Sequence, residues 1–184
     1  MKSNYLNSVK RQFEYYKSLG DKTFQQLNEN DIHWQFNSES NSIAIIVKHI
    51  VGNMLSRWTN FRTEDGEKTW RHRDTEFENT YKTKLEMLQA WEKGWKCLFD
   101  AILPLENDDL NELVYIRNQG HSIDEAINRQ LCHYPYHIGQ IVYIGKMLKD
   151  EKWKTLSIAK NKSSDYNKDK FSKEKSKKHF TDDV

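Results

Sequence analysis

Only two prolines and seven glycines occur in 184 residues, so few positions force a helix to stop. Long uninterrupted helices are expected in place of a turn-rich sheet protein. Cysteine is equally scarce: Cys97 and Cys132 are the only thiols, and neither belongs to a Cys-x-x-Cys pair, which fits a reducing compartment. The longest apolar run, Ile43 to Val47, is far short of the roughly 20 residues that cross a bilayer. No apolar segment of the secretory kind follows the polar start Met1-Lys2-Ser3-Asn4, so a cytoplasmic location away from membranes is expected. An excess of charge of one sign is missing too. With 29 basic and 27 acidic residues the net charge is +2, and that balance gives no reason to expect nucleic acid as a partner.

Large aromatic side chains are what the chain has. The apolar fraction is only 36% and the charged fraction 30%, but six Trp, nine Tyr and eight Phe bury much area per residue and make a single core feasible at this length. After Ala159 the composition changes. From Lys160 to Val184 eight lysines stand against five acidic residues, a stretch that reads as a flexible, solvated extension, with a polyanion-binding arm as the competing reading. Phe171 and Phe180 are the residues able to dock it. The expected organisation is one domain over 1–158 and a lysine-rich tail over 159–184.

Four apolar stripes with helical period fill that domain. Leu6, Val9, Phe13, Tyr16, Phe24 and Leu27 predict a first helix over about 4–27. Ser40-Asn41-Ser42 offers an N-cap for a second over 42–61, with Ile43, Ile46, Ile50, Met54 and Trp58 on its apolar face. A third runs over about 81–103, carries Trp91 and Trp95, and is stopped by Pro104. A fourth starts from Ser122, with capping-box spacing to Glu125, and reaches about Lys149. Residues 62–80, dense in charge around Asp65-Gly66, form a surface loop long enough to suggest that it covers something. Leu113-Val114-Tyr115-Ile116 before Asn118-Gln119-Gly120 reads as a short hairpin. The fold class expected is all-α, a four-helix bundle with long connections, because stripes of this length hide best against one another.

Of the seven histidines, His133 and His137 are four apart on the fourth helix, the spacing that lets two imidazoles bind one cation. They flank the stripe of Ile127, Tyr134, Ile138, Ile141 and Gly145 beside Gln130 and Gln140, at a rim that water can reach. Such a spacing also arises by chance, and two separately hydrogen-bonded imidazoles are the competing reading. A third ligand is needed for a firmly held divalent ion. His49 is the best candidate, being the only other histidine inside a predicted helix. Its position is on a polar line with Ser42, Asn53 and Ser56, which would equally suit a surface histidine. His121 is the fallback; His33, His72 and His179 read as solvated.

The segments Ile46-Val47-Lys48-His49-Ile50-Val51 and His133-Tyr134-Pro135-Tyr136-His137-Ile138-Gly139-Gln140 resemble those of the DinB and YfiT-like family of metal-dependent proteins, over about residues 1–158. The resemblance implies a four-helix bundle, frequent homodimers, and a divalent ion, often nickel or zinc, on three histidines that fall here on His49, His133 and His137. Two departures accompany it. Pro135 removes a helical N–H between the two ligands and should bend the helix or strain it near Leu131. Ile138 stands where the family usually has a basic residue.

Three neutral imidazoles would leave such an ion its full charge, so that a bound water or thiol ionises near neutral pH. Relatives in the superfamily include thiol S-transferases and a thiol-dependent isomerase. The resemblance therefore implies S-transfer from a low-molecular-weight thiol to a small-molecule substrate, with hydrolysis next. The alternative is a non-enzymatic, stress-related binding or structural dimer with a vestigial site. Asn53, Arg57 and Gln140 are candidates to support ligands or substrate, beside their ordinary solvated or capping roles, and no general base stands out.

Overall fold

The computed structural model describes residues 4–78 and 81–183. The chain is mostly helical: α1 (Tyr5–Phe24), α2 (Glu29–His33), α3 (Ile43–Trp58), α4 (Lys84–Ile102), α5 (Ile123–Lys149) and α6 (Ser163–Phe171), with one antiparallel hairpin, β1 (Leu113–Ile116) and β2 (Gln119–Ser122). The four long helices are those the apolar stripes predict; α1, α3 and α4 are one to three residues shorter at each end, and α5 keeps the expected bounds. Short α2 and α6 carry no comparable stripe.

Local chemistry sets the starts. Ser42 accepts from Ile45 N–H at 3.3 Å, Thr83 accepts from Glu86 N–H at 3.2 Å, and Ser122 N–H donates to Glu125 Oε2 at 3.0 Å, each satisfying an orphan donor of a first turn. α3 packs against α4 and α1 against α5, with α3–α5 and α1–α4 contacts completing the arrangement. Phe13, Trp91, Trp95, Tyr134, Ile50 and Met54 are fully buried at its centre. Trp91 and Trp95 meet edge-on, their ring centroids 5.4 Å apart, which adds specific ring contact to their buried area.

α3 departs from the amphipathic expectation. His49, Asn53, Ser56 and Ser42 are all buried, so the polar line that would suit a surface histidine faces the interior. The reason is the connection after it. Residues 62–78 fold back across α3 and end in a 3-10 turn, Asp74–Phe77, that packs on it; the last two residues of the sequence-defined loop, 79 and 80, lie outside the described residues.

The hairpin anchors that connection. Arg117 and Asn118 form its two-residue turn with φ of 56° and 59°, the positive values that match the twist of paired strands. Asp65 receives both their backbone N–H groups, each at 2.8 Å, and Gly66 N–H donates to Tyr115 O at 2.8 Å.

Pro135 lies inside α5, which nevertheless runs unbroken to Lys149. At the far end, the tail meets α1: His179 lies 3.0 Å from Ser8 Oγ, Arg11 pairs with Asp182, and Phe180 contacts Tyr15 with ring centroids 5.4 Å apart. Phe171 remains exposed.

Candidate metal centre

α5 places His133 and His137 one turn apart, half-buried on the flank of its core stripe. α3 brings His49 to them from the facing helix. The Nε2 atoms of His49 and His133 are 3.3 Å apart and those of His133 and His137 3.1 Å. Donors about 2.0–2.1 Å from one cation in tetrahedral or octahedral geometry stand roughly 3.0–3.4 Å from each other, so both separations fit neighbouring ligands of one ion, and all three ligand atoms lie within 4.8 Å of one another. Among the described residues this is the one group of three His, Cys, Asp or Glu side chains close enough to hold a metal. His121 is on β2 and does not join it, and Cys132 is exposed.

The other ring nitrogens decide what the three Nε2 atoms are. His49 Nδ1 lies 3.0 Å from Glu76 Oε2, His133 Nδ1 3.3 Å from Gln130 Oε1, and His137 Nδ1 2.8 Å from Gln140 Oε1. A carboxylate can only accept, and the two amide oxygens do the same, so each Nδ1 carries the proton and each Nε2 presents a lone pair. Three lone pairs aimed at one point repel unless a cation lies between them. Backing of this kind is the usual support of metal-bound imidazoles.

Burial and mutual proximity disfavour the charged forms of His133 and His137. Burial, followed by the proximity of His137, His49, Arg129 and Arg57, pushes His133 down to about 3. His137 is also lowered, chiefly by burial and then by His49, against the opposing bond to Gln140. Burial disfavours the ionised form of Glu76, but the hydrogen bonds from His49 and Arg71 and the Arg71 charge outweigh it and hold the carboxyl below its usual range.

Glu76 is the functional residue that sequence reasoning misses. It is 5% exposed and receives Arg71 twice, Nε to Oε1 at 2.7 Å and Nη2 to Oε2 at 2.9 Å. Its carboxylate crosses α3 at Gly52, where a Cβ would lie 2.2 Å from Oε1; a side chain at 52 would displace the carboxylate from this position. Phe77, next along the 3-10 turn, stacks on His49 with ring centroids 5.0 Å apart. In sequence these residues look like part of a charged loop, and the only hint is that the loop is too long to be idle.

The other sequence candidates divide. Gln140 backs His137 as described. Asn53 accepts from Tyr134 Oη at 3.0 Å, and Tyr134 Oη accepts from Trp58 Nε1 at 3.1 Å, a buried chain that locks α3 to α5 beneath the cluster. Arg57 donates to Gly66 O and to Glu67 Oε2, holding the covering loop. The bend or strain that Pro135 should introduce does not misdirect the two imidazoles, whose Nε2 atoms converge across it.

A family model described as a protein of unknown function (DUF1572) matches residues 1–162. The match ends before α6 and takes in the three histidines and everything that backs them. No curated protein and no solved structure matches the chain.

Proposed function

The chain belongs to the DUF1572 family, a DinB-like family, and we propose on that footing that it is a metal-dependent enzyme of the DinB superfamily, built as a four-helix bundle, that transfers a small thiol to an electrophile. The observation that carries the metal reading is the convergence of three Nε2 lone pairs, each fixed by an oxygen on the opposite ring nitrogen. Their donor chemistry fits a divalent ion of the nickel or zinc type. When bound, such an ion supplies Lewis acidity that brings the ionisation of a thiol or a water near neutral pH.

The chain's own groups prepare the site. Glu76 Oε2 and the two glutamine oxygens hold protons on the three Nδ1 atoms and so keep the Nε2 atoms free. Burial keeps the His133 and His137 imidazoles neutral, which favours ligation over protonation. Phe77 covers one face of His49 and limits water on that side. In the reaction the thiol gives its proton to solvent, sulfur forms the new S–C bond, and the leaving group departs with the electron pair of the bond that breaks. S-transfer is preferred to hydrolysis because of the resemblance to thiol-using relatives.

Conjugation of monochlorobimane with cysteine or glutathione tests it. The rate above the uncatalysed background should vanish after chelator treatment, return with nickel or zinc, and be missing in His137→Ala. Catalysis indifferent to chelation would remove the metal from the reaction.

A further inference from the structure

Beside His49 and His133 lies a cavity of about 280 Å³ whose wall carries five arginines, Arg57, Arg71, Arg73, Arg117 and Arg129. That charge is not matched from within. Glu76 is taken by Arg71 and His49, and Glu67 alone serves Arg57 at 3.2 Å, Arg117 at 3.1 Å and Arg71 at 3.6 Å. The nearby Asp65 carboxylate is occupied by the backbone N–H groups of Glu67, Arg117 and Asn118. Arg73 and Arg129 have no carboxylate within ion-pair distance among the described residues; Arg73 lies over the Phe77 ring, 5.7 Å from its centroid. Arg57 is 8% exposed, and among the described residues its buried Nε–H meets no acceptor.

Guanidinium groups clustered at a small concave site repel one another, and a buried N–H left without an acceptor is costly. Across the whole chain the charge is nearly balanced, so the excess is local to this wall. Planar guanidiniums are suited to the oxygens of carboxylates and phosphates, which they can bind in pairs.

We propose that this cavity binds the oxyanion group, carboxylate or phosphate, of a small substrate. Arg73 and Arg129 supply free donors, Arg57 a buried one, and the rest of the molecule reaches the three histidines. The inference names the substrate class for the reaction proposed above and rests on that reading for its chemistry, whereas the binding step itself needs no cation.

The test is calorimetric titration of the full chain with inorganic phosphate and, separately, with succinate, on chelator-treated protein and again after loading with nickel, with succinamide as the neutral comparator. At least one of the two anions should bind and the diamide should not. Arg73→Gln and Arg129→Gln should each weaken binding on the order of tenfold, and the pair about a hundredfold. Both side chains are exposed, so the circular dichroism spectrum and thermal midpoint should stay at the parent's values. Binding of neither anion by the parent, or affinity within about twofold of the parent in the double variant, would overturn the proposal. Anion binding by a chain that takes up no metal would leave this inference standing and remove the reaction; nickel uptake without anion binding would do the reverse.

Discussion

Replacing Glu76 by glutamine keeps the side chain's shape and removes its charge, and the structure sets the size of the effect. The carboxylate has two oxygens and serves two neighbours: Oε2 accepts a hydrogen bond from His49 Nδ1–H, N to O 3.0 Å, and Arg71 reaches both oxygens. A glutamine has one acceptor oxygen, so it can face His49 or Arg71 but leaves the other opposite an N–H₂ group. A hydrogen bond to a charged group contributes about 1.5–3 kcal/mol net, and about 1.4 kcal/mol is tenfold in an equilibrium constant. Cation affinity should therefore fall roughly 10- to 100-fold, the range typical of groups that back metal-bound histidines. Competition with a chromophoric chelator reads this directly, and a thermal melt establishes that the variant is folded. An affinity within about twofold of the parent in a folded variant would refute the reasoning, because His49 would then be aimed by something other than this carboxylate.

Tyr134→Phe should weaken the core without touching a ligand: it leaves the Trp58 N–H and the Asn53 carbonyl oxygen buried without partners, at about 1–3 kcal/mol for each, read as a lower urea midpoint; an unchanged midpoint would show that the chain adds nothing. The Asp65 carboxyl supplies a pH dependence. Burial opposes its ionisation, but three backbone N–H donors outweigh that and hold it below the usual carboxylate range, so its stabilisation is present above the ordinary Asp value of about 3.9 and is lost as pH falls through the lower folded value. The difference in urea midpoint between the parent and Asp65→Asn should thus be constant near neutral pH and shrink in acid; a difference that grows in acid would have the wrong sign.

The two parts of the candidate metal centre differ in how far they can be read from sequence. His133 and His137 are legible because helical geometry alone puts residues four apart on one face, and their place beside Tyr134 and Ile138 follows from the period of the stripe. Pro135 does not spoil this, since it removes one hydrogen bond but leaves the turn between the histidines intact. His49 is harder. Periodicity assigns it to a polar line with Asn53 and Ser56, and a polar line normally faces water. Here it faces the covering segment 62–78, whose docking depends on Asp65 meeting the hairpin turn and Arg57 meeting Gly66, contacts between residues distant in sequence or lacking any periodic signal. Glu76 is illegible for the same reason, because one carboxylate among many in a charged stretch is distinguished only by what it touches. The hairpin was within reach, since Asn118 tolerates positive φ, whereas Arg117 in the same conformation carries no such signal.

The most direct measurement is the metal content of purified chain, by elemental analysis with X-ray absorption at the edge of the metal found, in the parent, His133→Ala and His137→Ala. The parent should hold about one divalent ion with imidazole nitrogens near 2.0–2.1 Å, and both variants should lose it. A parent that binds no divalent ion even when one is supplied, or full retention by both variants, would contradict the account at its centre.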